Sequence, residues 1–153
     1  MDHGQWTEET GMTRDYRKIR AWQHADALAF EVYCATREFP KSEIFGLTSQ
    51  IRRSAVSVAA NIVEGSARQH EREYVQFLYL AFGSLAETGY YLDLAHRLKY
   101  LKDASHRLLA GRHESAARTL RALINYIESG NRPAPSESNV HSPKSNVERS
   151  SLG

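Results

Sequence analysis

A single cysteine, Cys34, stands in a chain of 153 residues. No internal disulfide and no cysteine-based zinc cluster can form from it, so stability has to come from packing. Proline is nearly as scarce, and only Pro40 of the four precedes residue 130. No run approaches the roughly 18 to 20 consecutive apolar residues that a membrane helix needs, and the opening MDHGQWTEETG lacks the charged-then-apolar order of a secretory leader. The expectation is a cytoplasmic protein with no membrane association. Gly-rich phosphate loops and a Gly-x-Ser-x-Gly nucleophile turn are also missing. So is any Glu-x-x-His pair, of which a di-metal oxidase housed in a four-helix bundle needs two. These absences point away from an enzyme and from a cofactor.

What remains is the composition of one soluble domain, 41% hydrophobic and 25% charged, long enough to bury about two-thirds of its unfolded surface. The net charge of +2 conceals an uneven distribution: residues 16–129 hold 16 Lys and Arg against 12 Asp and Glu. Such a balance is compatible with a polyanionic partner and far short of a DNA-packaging protein. From Gly130 onward the chain is rich in Ser, Asn and Pro with almost no large apolar residue, a composition that cannot offset the entropy of ordering. Residues 130–153 are expected to be a disordered tail and 1–15 a disordered start, with the domain at 16–129.

Within the domain, glycine and proline punctuate at Pro40, Gly46, Gly65 and Gly130, leaving four long segments of helical periodicity and no alternating strand pattern. The first, about Ile19 to Arg37, carries Trp22, Ala25, Ala29 and Val32 on one stripe, with Leu28 and Phe39 beside it. The second opens after Ser42, a candidate N-cap, and places Ile44, Leu47, Ile51, Ala55, Val58 and Ile62 on one face at roughly 100° per residue, with Gly65 as the C′ residue. Ser66 and Gln69 have the form of a capping box for a third helix that runs to about Leu98. Asp103 is the candidate N-cap of a fourth, which ends near Glu128 and has Ala116, Leu120, Leu123, Ile124 and Ile127 as its core. Short connections between long helices predict an all-α, antiparallel up-down-up-down four-helix bundle.

Two helices have more apolar surface than a monomer uses. The third carries Leu80, Tyr91, Leu94 and Leu98 opposite its main stripe of Tyr74, Leu78, Ala81, Phe82, Leu85 and Leu92, and the second has Val56, Ala59 and Val63 away from its core face. A helix apolar nearly all round is usually buried on both sides, which predicts a ring-shaped homo-oligomer that covers these second faces. Gly83 and Ser84 in mid-helix fit a close approach by another backbone.

The strings GLTSQIRRSAVSVAANIVEGSARQ (46–69) and FLYLAFGSLAET (77–88) resemble the four-helix-bundle family of 23S rRNA-intervening sequence proteins, and the resemblance spans about Tyr16 to Ile127. The matching positions are Gln50, Arg52, Arg53, Ser57, Asn61, Glu64, Gly65, Arg68, Phe77, Gly83, Ser84 and Glu87. The resemblance implies the four-helix fold with a structural role for Asn61, Glu64, Gly65, Gly83, Ser84 and Glu87. Through a related branch, the accessory proteins of diversity-generating retroelements, it also implies a pentameric barrel and a reverse transcriptase with its RNA as partners. Two positions depart from the family pattern: Ala59 stands where proline is common and Thr88 where leucine is usual.

The remaining functional candidates are basic. An up-down bundle places Arg17, Lys18 and Arg20 at the same end as Arg68 and Arg72, with Tyr16 close by, and Arg97, Lys99, Lys102 and Arg107 with Tyr100 at the other end. Arg52 and Arg53 lie on the flank and back of the second helix, where a ring would repeat them. Such surfaces can hold phosphates and stack unpaired bases without reading sequence. The expected function is a non-enzymatic adaptor that binds RNA or DNA, and the alternative is a protein-interaction scaffold. Asp93-x-x-His96 and Asp103-x-x-His106 are weak metal candidates, and no metal is expected. Glu64 is expected to pair with Arg68, and both Asn61 and Glu64 to hydrogen-bond the 65–70 connection.

Overall fold

The computed structural model describes residues 14–130. The expectations of disorder therefore fall outside the described residues, apart from those for Arg14, Asp15 and Gly130. A 3-10 turn over Tyr16–Lys18 leads into α1 (Arg20–Thr36), and a second 3-10 turn over Lys41–Glu43 precedes α2 (Leu47–Ser66), which is followed by α3 (Glu71–Arg97) and α4 (Asp103–Glu128). No strand occurs among the described residues. Each helix packs on two others: α1 on α2 and α4, and α3 on α2 and α4. The core between them is the expected one in large part, with Leu28, Val32, Ile51, Val58, Ile62, Leu78, Leu85 and Leu120 all buried.

The helix ends depart from the sequence signals. Ser42 is not a cap and Ile44 is exposed outside the helix; Glu43 reaches forward and accepts from the Leu47 amide at 2.9 Å, where α2 starts. Gly65 is not a left-handed C′ residue but lies inside α2, where a side chain would meet α3: a Cβ there would stand 2.7 Å from Phe77 Cβ and 3.3 Å from the Tyr74 carbonyl. The Ser66–Gln69 capping box does not form. Ser66 Oγ instead donates to the Val63 carbonyl at 2.6 Å, and α3 starts at Glu71 with Glu71 and Glu73 in its first turn to complement the helix dipole. Asp103 is the first residue of α4 rather than its cap.

A hydrogen-bonded seam runs between α2 and α3. Ser57 and Ser84 hydroxyls lie 2.9 Å apart, the fully buried Thr88 hydroxyl lies 2.9 Å from Ser54 Oγ, and Ser54 donates to the Ile51 carbonyl. Asn61 donates back to Ser57, to its carbonyl at 2.8 Å and its hydroxyl at 3.0 Å, rather than forward to the connection. Thr88 thus replaces an apolar contact with a satisfied hydroxyl.

The α3 terminus has a Schellman arrangement, in which the Lys99 amide donates to His96 and the Tyr100 amide to Ala95, with Lys99 at φ +62°. A side chain in this left-handed region is strained by about 1 kcal/mol, so Lys99→Gly is expected to raise stability by about that amount in a urea or thermal melt.

Candidate nucleic-acid interface

The start of α1, the end of α2 and the start of α3 meet at one end of the molecule. Asp15 caps the first 3-10 turn by accepting from the Arg17 amide at 3.1 Å, and Gln23 donates to the Arg17 carbonyl at 2.8 Å. The turn is therefore held, and Arg17 and Lys18 project from it into solvent. Tyr16 packs edge-on against Trp22 at 4.9 Å, with the Arg17 guanidinium 5.2 Å from its ring centre. Arg14 ties the segment just before the first 3-10 turn to the α2–α3 junction. Its Nη1 donates to the Arg68 carbonyl at 2.8 Å, and its guanidinium lies 4.4 Å over the Tyr74 ring. Burial pushes the Tyr74 phenol up, with Arg14 opposing.

The structure therefore groups Arg14, Arg17, Lys18, Arg20, Arg68 and Arg72 around this junction. The expected Arg68–Glu64 pair forms at 3.1 Å, with Arg68 also 4.7 Å over the Phe77 ring. Among the described residues the other five cations have no carboxylate within ion-pair distance. Arg17, Lys18, Arg20 and Arg72 are exposed as well, which keeps their donors available for phosphate oxygens, whereas Arg14 is half-buried and spends a donor on Arg68. Arg14 was not legible in the sequence, since it precedes every periodic segment and gains its place only through Arg68 and Tyr74.

The other two predicted site arginines stand apart. Arg52 is half-buried, donates through Nε to the Thr36 hydroxyl at 2.8 Å and stacks 4.8 Å over Tyr33, so it joins α1 to α2. Arg53 is exposed. At the far end, Tyr100 is not a free stacking platform: it packs on Phe39 at 5.6 Å and donates to Glu43 at 3.3 Å.

The two Asp-x-x-His pairs cross between helices. His96 Nε2 lies 2.7 Å from Asp103, His106 Nε2 lies 3.0 Å from Asp93, and the imidazoles stack at 4.1 Å. Among the described residues no group of three or more His, Cys, Asp or Glu is placed to hold a metal ion. His113 Nε2 donates to the Leu85 carbonyl at 2.7 Å, in space left by Gly89. The His96 contact holds the Asp103 carboxyl below the usual aspartate range. A depressed carboxylate contributes stability that is present above its unfolded value and lost as pH falls through the lower folded one. Asp103→Asn should therefore lower stability at neutral pH and flatten the acid limb of the profile below about pH 4, with the two proteins converging at low pH, as read from melts across pH.

The second apolar faces are partly open. Leu80 is 58% and Val56 42% exposed, while Ala59, Val63, Tyr91 and Leu94 are half-buried, and Tyr91 donates to Glu87 at 2.7 Å. Among the described residues nothing outside its own stretch of helix lies within 4 Å of where a Gly83 Cβ would stand. The sequence reading missed Phe30 and Phe45, which are 67% and 95% exposed.

The chain matches the family described as 23S rRNA-intervening sequence protein over residues 17–122. A solved structure, a protein of unknown function from the S23 ribosomal protein family of Bacteroides thetaiotaomicron, is similar with a TM-score of 0.63 and 22% identity. The match covers 69% of this chain and 95% of that one, and at this identity it carries the fold alone. No curated protein matches the chain. Among the described residues no helix is long and apolar enough to cross a membrane.

Proposed function

As this chain belongs to the 23S rRNA-intervening sequence protein family, we propose that it is a non-enzymatic, homo-oligomeric adaptor that binds RNA or DNA through the basic end. The observation that carries the reading is the cluster of Arg14, Arg17, Lys18, Arg20 and Arg72, without carboxylate partners among the described residues, gathered around a capped turn. Cations presented this way neutralise phosphates and release counterions without reading bases. The resemblance to retroelement accessory proteins adds the pentameric ring and a reverse transcriptase as partner.

We take the bundle to be antiparallel, and the helix contacts support this. Thr88, Ser84 and Phe77 of α3 meet Ser54, Ser57 and Gly65 of α2, while Tyr79, Leu85 and Asp93 meet Glu128, His113 and His106 of α4. The exposed Leu80, Val56 and Gly83 support a ring that buries them, and repetition around a ring multiplies weak phosphate contacts through effective concentration. The exposed Phe30 and Phe45 favour a second reading, a protein-interaction scaffold.

Size-exclusion chromatography with light scattering at two salt concentrations, with and without short RNA and DNA, separates the readings. The adaptor elutes as one discrete oligomer that carries nucleic acid at low salt and releases it at high salt. An oligomer indifferent to nucleic acid at both salts supports the scaffold.

A further inference from the structure

At the elbow between α1 and α2, Arg37, Phe39, Lys41, Ile44, Thr48 and Arg52 are among the residues lining an open cavity of about 330 Å³. Every charged residue of its lining is a cation, and none of the three is in an ion pair among the described residues. Of the acids nearest in sequence, Glu43 is already engaged by the Leu47 amide and the Tyr100 hydroxyl, and Glu38 is exposed and lines a different cavity. Arg52 is held in place by Thr36 and Tyr33 through its Nε and its face, which leaves its terminal amino groups without an acceptor among the described residues. A guanidinium held this way is pre-organised for a two-pronged contact with an oxyanion.

Thr48 supplies a second, independent observation. It is 2% exposed and its hydroxyl has no hydrogen-bond partner among the described residues, whereas Thr36 and Thr119 each return theirs to the carbonyl four residues back. Thr48 is the second residue of α2, so the residue four back, Ile44, lies outside the helix. A buried hydroxyl without a partner is unfavourable and calls for a reason.

We propose that this cavity binds a phosphate monoester carried on a planar or apolar body, which is the chemistry of a nucleotide. The phosphate meets Arg37, Lys41 and Arg52, the Thr48 hydroxyl turns towards it, and Phe39 and Ile44 receive the body. The ligand comes either as a free mononucleotide or as the 5′-phosphorylated end of a strand. The cavity lies at the opposite end of α1 and α2 from the Arg17 cluster, so this inference does not depend on the function proposed above.

Titration calorimetry with AMP, and with a short oligoribonucleotide carrying or lacking a 5′-phosphate, tests it. The chain is expected to bind AMP or to favour the phosphorylated strand about tenfold over the unphosphorylated one, the first result marking a free nucleotide and the second a strand end. Thr48→Val and Lys41→Ala should each weaken that binding tenfold or more, while Thr48→Val melts no lower than the parent because it removes an unpaired hydroxyl. Replacing Arg17, Lys18 and Arg20 by alanine should leave AMP binding unchanged. Absence of binding to AMP together with equal binding of both strands overturns the proposal, as does binding undiminished in Thr48→Val and Lys41→Ala.

Discussion

Gly65→Val is expected to destabilise the domain by about 3 kcal/mol, enough to lower its urea midpoint markedly or to leave it unfolded at 37 °C. The reason is the crossing of α2 and α3. A Cβ at Gly65 would stand 2.7 Å from Phe77 Cβ, which is anchored to its own backbone, and 3.3 Å from the Tyr74 carbonyl, which cannot turn aside. Relief requires the two helices to separate, and the serine and threonine seam between them would open with them. Gly83→Ala is the matched control. Space there is empty among the described residues, so the dissociated protein should gain about 1 kcal/mol in helix propensity, while a ring that packs a neighbour against Gly83 should lose mass in light scattering.

The second large effect is expected at Leu78, which is fully buried on α3. Leu78→Ala removes buried methyl groups and leaves a cavity, at a cost of about 2 to 5 kcal/mol. Two residues along the same helix, Leu80 is 58% exposed, and Leu80→Ala should change the stability of the dissociated chain by less than about 0.5 kcal/mol. If Leu80 lies in the ring interface, that variant should instead dissociate at lower dilution. Denaturant melts over a range of protein concentrations separate the two, because only an interface residue makes its effect concentration-dependent.

Periodicity identified the helices well and their ends poorly. The 3.6-residue pattern is set by burial, and α1 and α4 fall within a residue or so of their expected limits because nothing at their ends competes. At α2 and α3, other contacts, some local and some between helices, overrode the expected signals. Glu43 took the capping place that Ser42 offered, and Gly65 serves the approach of α3 rather than a turn. Thr88, a departure from the family's usual leucine, became intelligible only with Ser54 opposite it. The candidate site was legible to the same degree. Placing Arg17, Lys18, Arg20, Arg68 and Arg72 at one end needed only helix order and short connections. The roles of Arg14 and Arg52 depend on cross-helix partners that no local spacing encodes. The same holds for the partners of the Asp-x-x-His pairs, since each imidazole is held by the carboxylate of the other helix.

The account rests on the basic end as an electrostatic surface for nucleic acid. Its most direct test is the affinity for a short single-stranded RNA as a function of salt, for the parent and for Arg17→Ala/Lys18→Ala/Arg20→Ala. Each phosphate contact contributes about −0.7 to the slope of log affinity against log salt on a single strand. The account predicts a clear negative slope for the parent that becomes shallower by about two in the triple variant, with the melt unchanged. Binding that ignores salt, or a slope that survives the three substitutions intact, would contradict it.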